Sequence, residues 1–473
     1  MPKKKMERQS KLPFTELTAI SPLDGRYRER VTDLVPYVSE FALIRTRFEI
    51  EAKYLVALSD ALIIRNLKED ERRKLETFNR SITLKEAQKV KKTEEETRHD
   101  VKAMERSFRK MVKGTSLKDL TEMIHFGLTS EDVNNLSYRL MLKRACNEVC
   151  IPTLELLIDE LTNQAEKYQS TPMLARTHGQ AAVPTTLGKE IINFASRLNE
   201  EVQKLENQKL TGKLNGAVGN FNALAAAYPN VDWISFSTRF VESLGLKPNM
   251  VTTQINPYED MIELMQSIQR INGVIIDFDQ DMWRYISDDW FVQVVKKGEV
   301  GSSTMPQKVN PIDFENSEGN LQLANGIIES MTRKLALSRL QRDLSDSTTV
   351  RNVGVILGYC LLGYRSSLTG LLRVRPKFDK ISDDLNRDWT ILAESAQTIL
   401  RSAHIEDPYS LVSSLTRGHR LDRNEWQSWI ESLSVDVRIK RKLERLTPEN
   451  YIGLAAELTQ NKIKEIRSAR RKQ

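Results

Sequence analysis

Apolar residues fall at steps of three and four through much of this chain. Across residues 262–283, Ile268, Ile271, Ile275, Phe278 and Met282 make one stripe over about four helical turns. Ile191, Ala195, Leu198, Val202 and Leu205 repeat the pattern. Leu154, Leu157 and Leu161 open a third segment just after Pro152, a residue suited to a helix start. Strand-like alternation is scarce. The pattern predicts an all-α protein, a bundle of long helices with residues 119–371 as its central body.

The flanks read differently. Residues 1–118 begin with the turn-rich "ISPLDGRY" and continue as shorter helical patterns with a charged run at 85–110. Beyond about 372, "RVRPKFDKISDD" breaks at a proline, and short helices carrying Trp389, Trp426 and Trp429 follow. Three helical domains are expected, 1–118, 119–371 and 372–473, in keeping with a length above the usual single-domain size.

Polar, glycine-bearing stretches interrupt the helices: "TRHDVKAME" (97–105), "HFGLTSEDVNN" (125–135), "RTHGQAAVPTTLGKE" (176–190), "GAVGNFNA" (216–223), "EVGSSTMPQKVNPIDFENSEGN" (299–320) and "QRDLSDSTTVRN" (341–352). Each joins hydroxyl, amide or charged groups near a predicted helix end. Sites in helical bundles are assembled from several facing helices, and a large polar substrate needs that distribution. The 299–320 stretch, rich in hydroxyls and amides around one lysine, suits an anionic group.

Composition narrows the class. Of 473 residues, 40% are hydrophobic and 29% charged, ordinary values for a globular protein. No apolar run nears the ~18 residues of a membrane span, and the basic start lacks the apolar core of a secretory signal. Cys146, Cys150 and Cys360 have no metal or redox spacing, so a reducing cytoplasm is expected. The net charge of +7 sits in the ends. Residues 1–11 hold five basic and one acidic side chain and residues 461–473 hold six and one, which leaves a slightly acidic body. Such ends read as solvated tails rather than as a dedicated nucleic-acid surface.

Several chemistries lack their residues. There is no G-x-x-x-x-G-K-[ST] loop, no H-E-x-x-H, no Cys/His ligand cluster and no G-x-S-x-G elbow. "GAVGN" has no strand before it, and "DFDQDM" (277–282) puts Met282 where a calcium loop needs glycine, so it reads as a solvated acidic face. Acid–base work remains. Three of five histidines, His99, His125 and His178, lie in the polar stretches, while His404 and His419 lie outside them. A histidine can protonate a leaving group near neutral pH.

"GSSTMPQKVNP" resembles the signature loop of the fumarase/aspartase superfamily, the homotetrameric lyases that release fumarate. "SPLDGRY", "RHDVKAME", "HFGLTSEDVNN", "RTHGQAAVPTTLGKE", "KLNGAVGN" and "NPIDFENSEGN" are similar to its adenylosuccinate lyase family in particular. The likeness runs from about Leu17 to Leu458. It implies a three-domain all-α fold with a central long-helix bundle and cleavage of adenylosuccinate, and of the succinylocarboxamide ribotide, with release of fumarate. It also implies no metal or organic cofactor, and a homotetramer whose sites are shared between chains.

The resemblance assigns roles. Ser302 is the general base and His178 the general acid. Ser303, Lys308 and Asn310 stabilise the carbanion formed beside a carboxylate, which needs donors placed in advance. Thr129 and Ser130 bind succinyl carboxylates, and Gln254 and Asn316 supply amide contacts. Arg26, Tyr27, Arg98, His99 and Asp100 match positions near the nucleotide. Arg342, Ser347, Thr348, Thr349 and Arg351 match the phosphate and nucleotide region, where arginine makes paired, charge-assisted bonds. His125 reads as a positioning residue. Two positions depart from the pattern. Gln307 gives "MPQK", the form familiar from argininosuccinate lyases, and position 98 is Arg where the subgroup with the same "KVNPIDFENSEGN" form tends to have Asn, though other adenylosuccinate lyases have "RHD". Gln307 therefore keeps argininosuccinate lyase as an alternative, and a catalytically idle structural relative stands as a second, of a different class.

Overall fold

The computed structural model describes residues 12–295, 298, 304–305, 307–418 and 420–471. In chain order the main elements are α1 (Glu40–Asp60), α2 (Leu84–Thr97), α3 (Asp100–Lys113), α4 (Ser130–Ala145), α5 (Ile151–Lys167), β1 (Pro172–Thr177), β2 (Gln180–Thr186), α6 (Leu187–Glu206), α7 (Glu259–Ser287), α8 (Ile312–Leu335), α9 (Val353–Leu372) and α10 (Ala455–Arg471). The fold is all-α, as the apolar periodicity predicts, and the stripes at 262–283, 191–205 and 154–161 lie on α7, α6 and α5. Among the described residues, strands are confined to three two-stranded sheets.

The chain forms two compact units that alternate along the sequence. The first holds 1–153, 203–272 and 320–363; the second holds 154–202, 273–319 and 364–473. In the first, α1 begins where the Ser39 hydroxyl accepts from the Ala42 N–H. Its Phe48, Ile50, Tyr54, Leu55 and Leu58 are buried, and Phe48 packs with the rings of Phe78 and Phe108. At α4, the Thr129 side chain takes the N3 backbone N–H while Asp132 reaches back to the Thr129 N–H, a capping box written in "TSED". In the second unit, Leu392, Leu400, Trp426, Ile430 and Leu443 form the core of the C-terminal helices, with Leu174 of β1 among them.

Four expectations are corrected. Pro152 does not start a helix: a π-helical turn over Cys146–Cys150 joins α4 to α5, with the Ile151 N–H bonded to the Cys146 carbonyl. The widened turn absorbs a proline that lacks an N–H. One helical stretch, Ser345–Leu372, is apolar enough by composition to cross a membrane, contrary to the sequence reading; 67% of its most apolar window is buried inside the protein, as in a core helix. Asp279 of "DFDQDM" is buried rather than solvated. The C-terminal basic run is helical through Arg471. Its Arg467 pairs with Glu166 at 2.7 Å and Arg470 with Asp159 at 2.9 Å, both carboxylates on α5.

Candidate active site

In the first unit the polar stretches converge through side-chain bonds. His99 caps α3, its Nδ1 accepting from the Lys102 N–H at 3.2 Å. In the neutral ring that leaves the proton on Nε2, which faces the Ser130 hydroxyl at 3.3 Å. Next along, the Asp100 carboxylate accepts from Arg47 at 2.7 Å and Arg351 at 3.1 Å. Burial would raise its pKa; the two guanidiniums and the Val101 N–H overcome that and hold it at about 2. Arg47, 1% exposed, also donates to Asn134 at 2.9 Å, and Asn134 donates to Glu131 at 3.1 Å. Glu131 pairs with Arg342 at 3.1 Å, and Arg342 donates to the Ser347 hydroxyl at 2.9 Å. Burial raises the Glu131 pKa more than Arg342 lowers it.

His125 enters this region from below. It stands at φ 60° before Gly127 at φ 67°, so the chain turns sharply into α4. Glu51 of α1 accepts from its backbone N–H at 3.0 Å and meets its ring Nδ1 at 2.5 Å. Tyr54 donates to the Phe126 carbonyl at 2.9 Å. The segment carrying Thr129 and Ser130 is thus held from α1 by two side chains.

Other predicted residues in this unit take lesser places. Gln254 is half-buried, its carbonyl held by Lys213 at 2.8 Å. A cavity of about 280 Å³ has Asp24, Arg28, Glu40 and Arg351 on its walls. Tyr27 packs beside Leu23, Val31 and Leu362, and Arg26 is exposed. Arg98 is exposed at φ 52°, a left-handed conformation that asparagine adopts more readily than arginine. Thr349 bonds back to the Ser345 carbonyl, and Thr348 offers its own carbonyl to Asn352.

In the second unit His178 sits in a hairpin that leads into α6 rather than at the helix end itself. With Gly179 it forms the two-residue turn of the β1–β2 hairpin, flanked by the Thr177–Gln180 pair. Their φ values of 53° and 72° are those of a type I′ turn, which matches the right-handed twist of paired strands. His178 is exposed at this tip, and among the described residues its ring makes no hydrogen bond. Asn316, on α8, donates to the Ser366 hydroxyl of α9 at 2.8 Å. Nearby, Asp279 of α7 accepts from Ser367 of α9 at 2.6 Å, and burial pushes its carboxyl well above the usual range. Lys308 is exposed and Asn310 half-buried. Ser302 and Ser303 lie outside the described residues, as does His419. Among the described residues no three His, Cys, Asp or Glu side chains gather as metal ligands.

Sequence reasoning missed Arg47, Glu131, Asn134, Lys213 and the Asp346–Tyr258 pair at 2.9 Å. A signal existed for Arg47: "EFALIRTRFEIEAKYLV" places Arg47, Glu49 and Glu51 among large apolar residues, where charge needs a buried partner.

A family model described as a lyase matches residues 25–326, so the chain is a lyase by class. A second, described as adenylosuccinate lyase C-terminal, matches residues 338–452. The adenylosuccinate lyase of Haemophilus influenzae is 44% identical over 453 residues, covering 95% of this chain and 99% of that protein. That of Escherichia coli K12 is 44% identical over 448 residues, covering 94% and 98%. The chain belongs to the adenylosuccinate lyase family. Among solved structures, the 3-carboxy-cis,cis-muconate lactonizing enzyme from Pseudomonas putida shares the fold, with a TM-score of 0.72 at 16% identity over 93% of this chain and 99% of that one.

Proposed function

We propose that the chain cleaves adenylosuccinate to AMP and fumarate, and the succinylocarboxamide ribotide SAICAR to AICAR and fumarate, in purine biosynthesis. The observation that carries the substrate is the 44% identity, over 95% of the chain, to a protein of that activity. The bonded network from His99 to Arg351 supports it by concentrating cationic and hydroxyl groups where a nucleotide phosphate and a succinyl carboxylate would be held.

The reaction is a β-elimination. Ser302 takes the proton from the carbon beside a carboxylate, and the electron pair spreads into that carboxylate. Lys308, Ser303 and Asn310 stabilise the charge as it grows. The bond from the neighbouring carbon to nitrogen then breaks, its electrons leave with the nitrogen, and His178 protonates that nitrogen. Thr129, Ser130, Gln254 and Asn316 hold the succinyl end. Arg26, Tyr27, Arg98, His99, Asp100, Arg342, Ser347, Thr348, Thr349 and Arg351 serve the nucleotide. No cofactor takes part.

The working form in this reading is a cytoplasmic homotetramer with each site drawn from three chains, and 1–118, 119–371 and 372–473 act as its three domains. The exposed ring of His178 supports sharing, since a general acid needs neighbours that position it. Leu337, Leu340 and Leu344, exposed at 70%, 96% and 73%, support burial against partner chains. The test is an ultraviolet assay of fumarate release from adenylosuccinate beside argininosuccinate. Release from adenylosuccinate alone is expected. Release from argininosuccinate alone would make Gln307 the better guide, and silence with both would leave an idle relative.

A further inference from the structure

Lys213 and Asp132 form an ion pair that takes no part in the elimination as written. Both side chains are fully buried, with Nζ and Oδ1 3.2 Å apart. The remaining two Nζ protons are used as well: they go to the carbonyls of Gly216 and Gln254, each at 2.8 Å. Asp132 is equally committed. Its oxygens accept from the N–H groups of Thr129 at 2.8 Å, Asn215 at 3.0 Å and Gly216 at 3.2 Å. Two side chains thus tie together three loops: the turn before α4 with Thr129 and Ser130, the 214–218 loop, and the 252–255 loop with Gln254.

Stability alone does not call for this arrangement. Burying an ammonium is costly, and a well-packed apolar side chain of similar volume is often as stable or more so. Burial presses the Lys213 pKa down, and Asp132 only partly restores it. What an apolar side chain cannot do is fix two carbonyls and a carboxylate at set directions.

We infer that Lys213, acting with Asp132, is a positioning residue for the elimination: it sets the spacing between Gln254 and the Thr129–Ser130 hydroxyls that meet the succinyl carboxylates. The inference rests on the proposed role of those three residues in substrate contact. Positioning enters the transition state more than the ground state, because charge grows on a carboxylate as the proton leaves. A shift of about 1 Å in such a group costs roughly 100-fold in rate.

The experiment is a double-mutant cycle on the whole enzyme, reading kcat and KM for adenylosuccinate with Lys213→Met, Gln254→Ala and the pair. Expected are a fall in kcat of about 10- to 100-fold for Lys213→Met, a KM within a few-fold of wild type, and little further loss when Lys213→Met is added to Gln254→Ala. Wild-type kcat in Lys213→Met overturns the inference, and so does full additivity with an impaired Gln254→Ala. Gln254→Ala at wild-type kcat and KM would instead remove the substrate-contact reading, and the inference with it. Should Lys213→Met not fold, Asp132→Asn, which keeps the size and one acceptor oxygen, is read in the same cycle. Failure of both to fold makes the pair a holder of the fold and overturns the positioning role.

Discussion

Arg47 shows at the scale of one residue why the candidate site is rigid. Its guanidinium is out of reach of water and, among the described residues, donates to Asp100 and Asn134. Removing one partner of a buried pair leaves a charge stranded, at about 3–5 kcal/mol. The His125–Glu51 pair adds a pH dependence. Burial alone would lower the imidazole pKa; the Glu51 carboxylate, helped by Glu105 and Asp132, raises it above its ordinary value overall. A raised folded pKa means the charged pair contributes its full stability below about pH 6.5, the unfolded value, and loses it as pH climbs through the folded value. The thermal midpoint of the wild type should therefore fall more steeply above neutrality than that of Glu51→Gln. Parallel slopes would contradict the pairing.

Residues that met sequence-local rules were legible; those satisfied only across the fold were not. Thr129 and Asp132 announce a capping box within four positions, and the hydroxyl and histidine segments stand out against apolar stripes. Arg47 and Lys213 look like ordinary helix or loop charges, because Asn134 and Asp100 lie 87 and 53 positions from Arg47, and Gln254 lies 41 from Lys213.

Among elements, α9 lies close against α8 at two glycines. A Cβ on Gly363 would stand 2.5 Å from the Leu321 side chain of α8, and one on Gly370 would meet the Phe314 ring at 2.9 Å. Gly363→Ala improves helix propensity by about 1 kcal/mol but forces that overlap, which costs about 1–3 kcal/mol. A lowered unfolding midpoint in denaturant is expected; a raised one would mean that Leu321 moves aside freely. The long helices were readable because a 3.6-residue stripe over several turns has no competing explanation. The β1–β2 hairpin was not. "PMLART" and "QAAVPTT" lack clean alternation, Pro184 interrupts the second, and His-Gly replaces the Asn-Gly or Asp-Gly that usually marks a I′ turn. The residue proposed as the acid stands at that turn.

For the whole molecule, the C-terminal basic run is part of the fold. Arg467 and Arg470 are matched by carboxylates of α5, so this end contributes less free positive charge than its sequence suggests. The oligomer follows from the functional reading: light scattering of the purified chain should give about four copies. A monomer with full activity would contradict shared sites.

Acid–base elimination by Ser302 and His178 is the central claim, and Ser302→Ala tests it most directly. Adenylosuccinate binding would be measured by calorimetry and turnover by fumarate release on the same preparation. The account predicts binding within a few-fold of wild type and turnover reduced by about 100- to 10,000-fold. Turnover near the wild-type rate would contradict it.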